Sequence, residues 1–144
     1  MKKRIVYTIL TLLWMLVIFS MSAQPAEVSG SKSSFITVRI VSLFIDNPTQ
    51  ELIDTVETVI RKLCHFLEYA LLSVLIYKTL ESYGLKKRGC ALCIAVSMLY
   101  AISDEIHQYF VPGRACRLYD ILIDTLGAVS GCLAIKFFKG KNLQ

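Results

Sequence analysis

Charge is scarce in this chain. Asp, Glu, Lys and Arg make up 19% of its 144 residues against 55% apolar residues, and the mean hydropathy is +0.56. That balance excludes an ordinary water-soluble domain of this size. A second C-x-x-C pair is also missing. Cys90 and Cys93 have that spacing inside an apolar helical run, and the five cysteines are an odd set. The two thiols therefore read as apolar filler, ahead of a redox or metal pair. Basic residues are sparse away from the ends of apolar runs. The formal charge of +5 thus fits a membrane and not nucleic acid. No inverted repeat is evident, which argues against a transporter.

What is present is a series of apolar runs. Lys2, Lys3 and Arg4 precede a run from Ile5 to Met21, about 17 residues and at the short end for a span. It reads as an uncleaved anchor; a signal peptide cleaved near Ser20–Ser22 is the rival. Residues 23–34, rich in Ser, read as a loop outside the membrane. Residues 35–45 are apolar but too short to span, which predicts a short interfacial helix. Asn47 and Pro48 predict the start of a long helix. Leu52, Ile53, Val56, Val59, Ile60 and Leu63 continue it at helical spacing. The predicted architecture is all-α: one domain over residues 1–144, an integral membrane four-helix bundle with spans at about 5–21, 63–80, 90–110 and 119–138.

Lys2, Lys3, Arg4, Lys86, Lys87, Arg88, Lys136, Lys139 and Lys141 fall on one side of that arrangement. They flank the spans closely, so this side and both termini are expected in the cytoplasm. Residues 100–114 then lie at the outer face.

Several polar residues sit inside spans, where a charge costs about 2.5–3.5 kcal/mol on insertion scales. At 100° per residue, Arg61, Lys62, His65, Glu68 and Tyr69 share a stripe of span two. In span three, Gln108 lies between the directions of Asp104 and Glu105. In span four, Asp120, Asp124, Gly127 and Gly131 form one line. Glu68 lies six residues inside Lys62, and Asp104 six inside Phe110; each offset is about 9 Å. Three helices thus bring acids to one level. Gly127 and Gly131 let another helix approach that acid-bearing face.

Several chemistries fit this pattern. His65 and Glu68, at i and i+3, suit metal ligation or acid–base work. The acids suit Mg²⁺ or Ca²⁺, although no metal or cofactor is assigned. After Pro112 and Gly113, Arg114 is aimed back toward the cluster, suited to a phosphate or carboxylate or to pairing with Asp120. The bland reading is an ion-pair network that fixes helix register.

At these residues the chain resembles the VanZ-like family. The resemblance runs through Arg61, Lys62, His65, Phe66 and Tyr69. It continues through Tyr100, Asp104, Glu105, Gln108, Phe110, Pro112, Gly113 and Arg114, then Asp120, Asp124, Gly127 and Gly131. Phe19, Ser20, Gln24 and Pro25 look like the family's first helix and its exit. Two departures stand out: Asp124 replaces an expected Asn, and Cys116 with Arg117 replaces small or polar residues. The resemblance implies a multi-pass bacterial membrane protein whose named relatives lower susceptibility to teicoplanin-type glycopeptides.

The functional expectation is action at the outer leaflet on a cell-envelope component. As an enzyme, the protein would use His65, Glu68, Asp104 and Glu105 as catalytic groups. Lys62, Tyr69, Gln108, Arg114, Asp120 and Asp124 would bind substrate. As a non-catalytic scaffold, it would hide a precursor or recruit a partner. Membrane lipids and a lipid-linked or cell-wall precursor are the expected partners.

Overall fold

The computed structural model describes residues 1–141, with side-chain surroundings through residue 138; the side chains of Lys139 and Lys141 fall outside that range. Five α-helices follow in order: α1 Lys2–Ser22, α2 Ala26–Ser42, α3 Gln50–Ser82, α4 Gly89–Tyr109 and α5 Leu118–Lys141. A single 3₁₀ turn, Lys86–Arg88, precedes α4. No strand forms among the described residues.

The long helix α3 is the axis, and α1, α2, α4 and α5 all pack on it. Its Tyr69, Leu72 and Ile76 meet Ile18 of α1, Cys93 and Ala101 of α4, and Cys132 and Ile135 of α5 in one core. Cys90 packs against this core, so the C-x-x-C pair acts as apolar filling. The end of α3 is a Schellman motif. Leu85 N–H bonds Leu80 O at 2.9 Å and Gly84 N–H bonds Glu81 O at 3.0 Å. The motif needs a left-handed residue, and Gly84 supplies it at φ +88°.

The most extensive contact joins α3 and α5. A Cβ on Gly127 would overlap the carbonyl oxygen of Phe66, and one on Gly131 would overlap that of Ala70. The two backbones touch where small residues recur every fourth position. Ser73 Oγ donates across the same seam to Ala128 O at 2.7 Å.

Three helices are long and apolar enough to cross a membrane: Lys2–Ser22, Lys86–Tyr109 and Leu118–Phe138. Their outer faces carry exposed Leu12, Leu16, Leu99, Leu122, Leu126 and Leu133, a surface suited to lipid. The second span expected from the sequence lies in α3, which is not among the three. His65, Glu68 and Lys78 interrupt its apolar run; Tyr69, Leu72 and Ile76 turn inward to the core, whereas Leu63, Leu67 and Leu71 stay exposed on the opposite side.

Two local expectations are corrected. Residues 26–34 are helical, not a loop. Pro25 ends the extended entry to α2, and the free N–H of Ala26 is satisfied by Pro112 O at 3.1 Å. The Ser31 and Ser33 hydroxyls fold back onto the carbonyls of Val28 and Gly30, so serine need not break the helix. The start of α3 is set by Thr49, not Asn47: the Thr49 side chain accepts from Leu52 N–H. Asn47 takes φ +55° and closes the turn before it.

Candidate functional site

Helix α4 places Asp104 and Gln108 one turn apart, so they meet side by side. Gln108 Nε2 donates to Asp104 Oδ2 at 3.1 Å, and Gln108 Oε1 faces Arg114 Nη1 at 3.5 Å. Arg114 then reaches α1. Its Nε donates to Gln24 O at 2.9 Å and its Nη2 to Met21 O at 3.3 Å. These carbonyls lie at the exit of α1, where the helix dipole is negative. The Arg114 guanidinium thus fastens the α1 exit, and the alternative of pairing with Asp120 is not formed. Burial and then the charge of Arg61 lower the Arg114 pKa from its usual range.

His65 Nδ1 lies 3.6 Å from Asp124 Oδ1. It is the one approach under 4 Å between an acid and a base within the cluster, among the described residues. Asp124 is 0% exposed and neither of its oxygens has a hydrogen-bond partner; Asp104 Oδ1 and Ser22 Oγ are also buried without one. Each such group costs about 1–3 kcal/mol if left unsatisfied. A dense ion-pair network would not leave these atoms bare.

A cavity of about 430 Å³ opens among α1, α2 and α3, with Asp104 of α4 and Arg114 of the α4–α5 turn in its wall. Among the residues expected from the sequence, His65, Glu68, Asp104 and Arg114 line it. Gln108, 5% exposed, stands behind and joins Asp104 to Arg114. Asp124 touches His65 from behind. Asp120 is half-buried one turn before Asp124 at the start of α5.

Three expected residues lie elsewhere. Glu105 is buried, and its Oε2 accepts the Arg117 backbone N–H at 2.7 Å, tying α4 to the entry of α5. Lys62 Nζ sits 4.1 Å above the Tyr119 ring, drawn off by a cation–π contact. Tyr69 is 0% exposed in the core, its ring 6.3 Å from that of Tyr100. Conversely, Arg61, Lys32, Ser29 and Ser33 line the cavity without having been assigned to the site. Ser29, Lys32, Ser33 and Ile36 recur at i, i+3, i+4 and i+7, a helical signal that the loop reading of residues 23–34 hid.

The family model described as VanZ/LLP1 matches residues 7–139. The chain belongs to the VanZ/LLP1 family. The match covers α1 through α5 almost entirely, and so every element that lines the cavity. Neither a curated protein nor a solved structure matches the chain. Among the described residues of this VanZ/LLP1 chain, no three His, Cys, Asp or Glu side chains are grouped to hold a metal ion.

Proposed function

We propose that this VanZ/LLP1 protein is a four-span membrane bundle whose polar cavity faces outward and takes hold of a cell-envelope component. This action lowers susceptibility to teicoplanin-type glycopeptides. The observation that carries the reading is the cavity lined by His65, Glu68, Asp104 and Arg114, with Asp104 Oδ1 and Ser22 Oγ unsatisfied. Buried polar atoms without partners at a cavity wall are suited to an incoming polar group.

In this reading α3 is the remaining span. At 1.5 Å per residue its 33 residues reach about 50 Å, more than a bilayer core. The charges of Arg61 and Lys62 then lie toward the outer surface, and Lys86, Lys87 and Arg88 toward the cytoplasm with both termini. His65, Glu68 and Asp104 are the candidate proton-transfer groups, and Arg114 holds the corner that brings them together. Asp124 and Gln108 orient His65 and Asp104.

A structural ion-pair network is the competing account. The single close acid–base approach in the cluster favours the site. The deciding experiment is mass analysis of envelope precursor lipids from cells with and without the protein, with teicoplanin binding measured in parallel. A changed precursor mass means chemistry. An unchanged mass with altered drug binding means occlusion. No difference in either measurement would overturn the proposal.

A further inference from the structure

Arg61 lines the cavity, is exposed, and makes no hydrogen bond or ion pair among the described residues. The cavity lining holds a second exposed cation, Lys32, whose Nζ makes one bond to Gln24 Oε1 at 3.0 Å. The charges in the cavity are sorted by depth. Arg61 and Lys32 are exposed, whereas Glu68 is half-buried and Asp104 is 3% exposed. Glu68 is also seven residues along α3 from Arg61, about 10 Å. The rim is therefore cationic and the floor acidic.

The walls of the same cavity are apolar. Ile18 and Met21 of α1 face Ile36 of α2, with Ile60 of α3 beside Arg61. Helices α1 and α2 both pack on α3 and little on each other. A gap is thus left between them, flanked by the bare apolar face of α1. Such a slot admits a molecule from the side, out of the bilayer.

We infer that the slot between α1 and α2 binds a phosphate-bearing lipid, its phosphate held by Arg61 and Lys32 at the rim and its chain lying along Ile18, Met21, Ile36 and Ile60. A guanidinium fork matches phosphate with two parallel bonds, and an ammonium adds a point charge. Arg114 does not hold the phosphate, because its Nε and Nη2 already bond the α1 carbonyls. The inference rests on the proposed function in that the lipid's head would then lie next to His65, Glu68 and Asp104.

Trp14, the one tryptophan, reports on the site. Its Nε1 donates to Glu68 O at 3.0 Å. The full chain, purified in a maltoside micelle, is titrated with dioctanoyl phosphatidic acid while Trp14 emission is followed. Saturable binding is expected, and it should weaken about tenfold or more in Arg61→Gln, the worth of a charge-assisted bond. Lys32→Gln should weaken it less, Arg61→Lys should restore part of it, and Arg39→Gln, away from the cavity, should leave it unchanged. Equal response to dioctanoyl phosphatidylcholine, equal affinity for inorganic phosphate, or full binding in Arg61→Gln would each overturn the inference. Unliganded Trp14 emission equal to wild type shows that a variant is folded.

The functional reading fails separately. Arg61-dependent lipid binding in a protein whose Asp104→Asn variant keeps full cellular activity supports the slot and sinks the proposed function. Loss of activity in Asp104→Asn with lipid binding indifferent to Arg61 sinks the slot alone.

Discussion

The Nε of Arg114 donates to the carbonyl oxygen of Gln24 at 2.9 Å, joining the turn after α4 to the exit of α1 across 90 residues of sequence. Its neighbours confirm the clamp: Nη2 reaches Met21 O, and Ala26 N–H bonds Pro112 O. Lys has one nitrogen and cannot span Met21, Gln24 and Gln108 together. Arg114→Lys is therefore expected to lower stability by about 1–3 kcal/mol, read as a lower Tm in detergent and reduced accumulation. Normal Tm with lost activity would instead give Arg114 a direct role on ligand.

The α3–α5 seam predicts a sharp contrast between glycines. Gly127→Ala and Gly131→Ala drive a methyl into the carbonyls of Phe66 and Ala70, at a cost of about 1–3 kcal/mol each. At Gly30 nothing lies within 4 Å of an added Cβ, so Gly30→Ala should be neutral or stabilise α2. Thermal unfolding of the three variants side by side tests the seam. Equal behaviour would mean that α5 does not rest on α3 in this way.

Asp104 and Glu105 are neighbours in sequence with different tasks. An Asn at 104 can still accept from Gln108 Nε2, so Asp104→Asn should accumulate normally while losing activity in a strain whose teicoplanin phenotype depends on this protein. A Gln at 105 can still accept the Arg117 N–H, and Glu105→Gln should keep most activity. The reverse pattern would move the chemistry to Glu105. Asp104→Asn and Glu68→Gln both retaining full activity would remove the acids from the site.

Cys116 is exposed in the turn after α4. If the basic 86–88 turn lies inside, as proposed, that residue faces outward. A variant retaining Cys116 alone should react with an impermeant thiol reagent in intact cells. Reaction only after lysis would reverse the orientation and with it the outer-leaflet reading.

Much of this arrangement is legible in the sequence. The apolar runs at about 5–21, 90–110 and 119–138 have the length and hydropathy of spans wherever they are placed. Gly127 and Gly131, spaced by four, marked a close helix contact. His65 and Glu68 shared a stripe because 100° per residue is a property of the helix itself. Residues 26–34 failed to announce themselves because serine favours turns in isolation. Their helix forms where Pro112 O accepts from Ala26 N–H and Ser33 bonds Glu57.

Which side chains share a cavity was a different matter. Arg61 and Lys62 are adjacent in sequence, yet one faces the slot and the other lies over Tyr119. Long cationic side chains choose among partners several ångströms apart, and the choice is set by what the neighbouring helices bring within reach. The sequence by itself determined that the chain belongs in a membrane, where its long apolar helices run, and which faces carry acids, but not that residues 26–34 are helical. Only the tertiary structure decided that Arg114 serves α1, that Glu105 serves α5, and that Arg61 is left unpaired. Periodicity is dictated by local backbone geometry, whereas pairing depends on distances that packing alone creates.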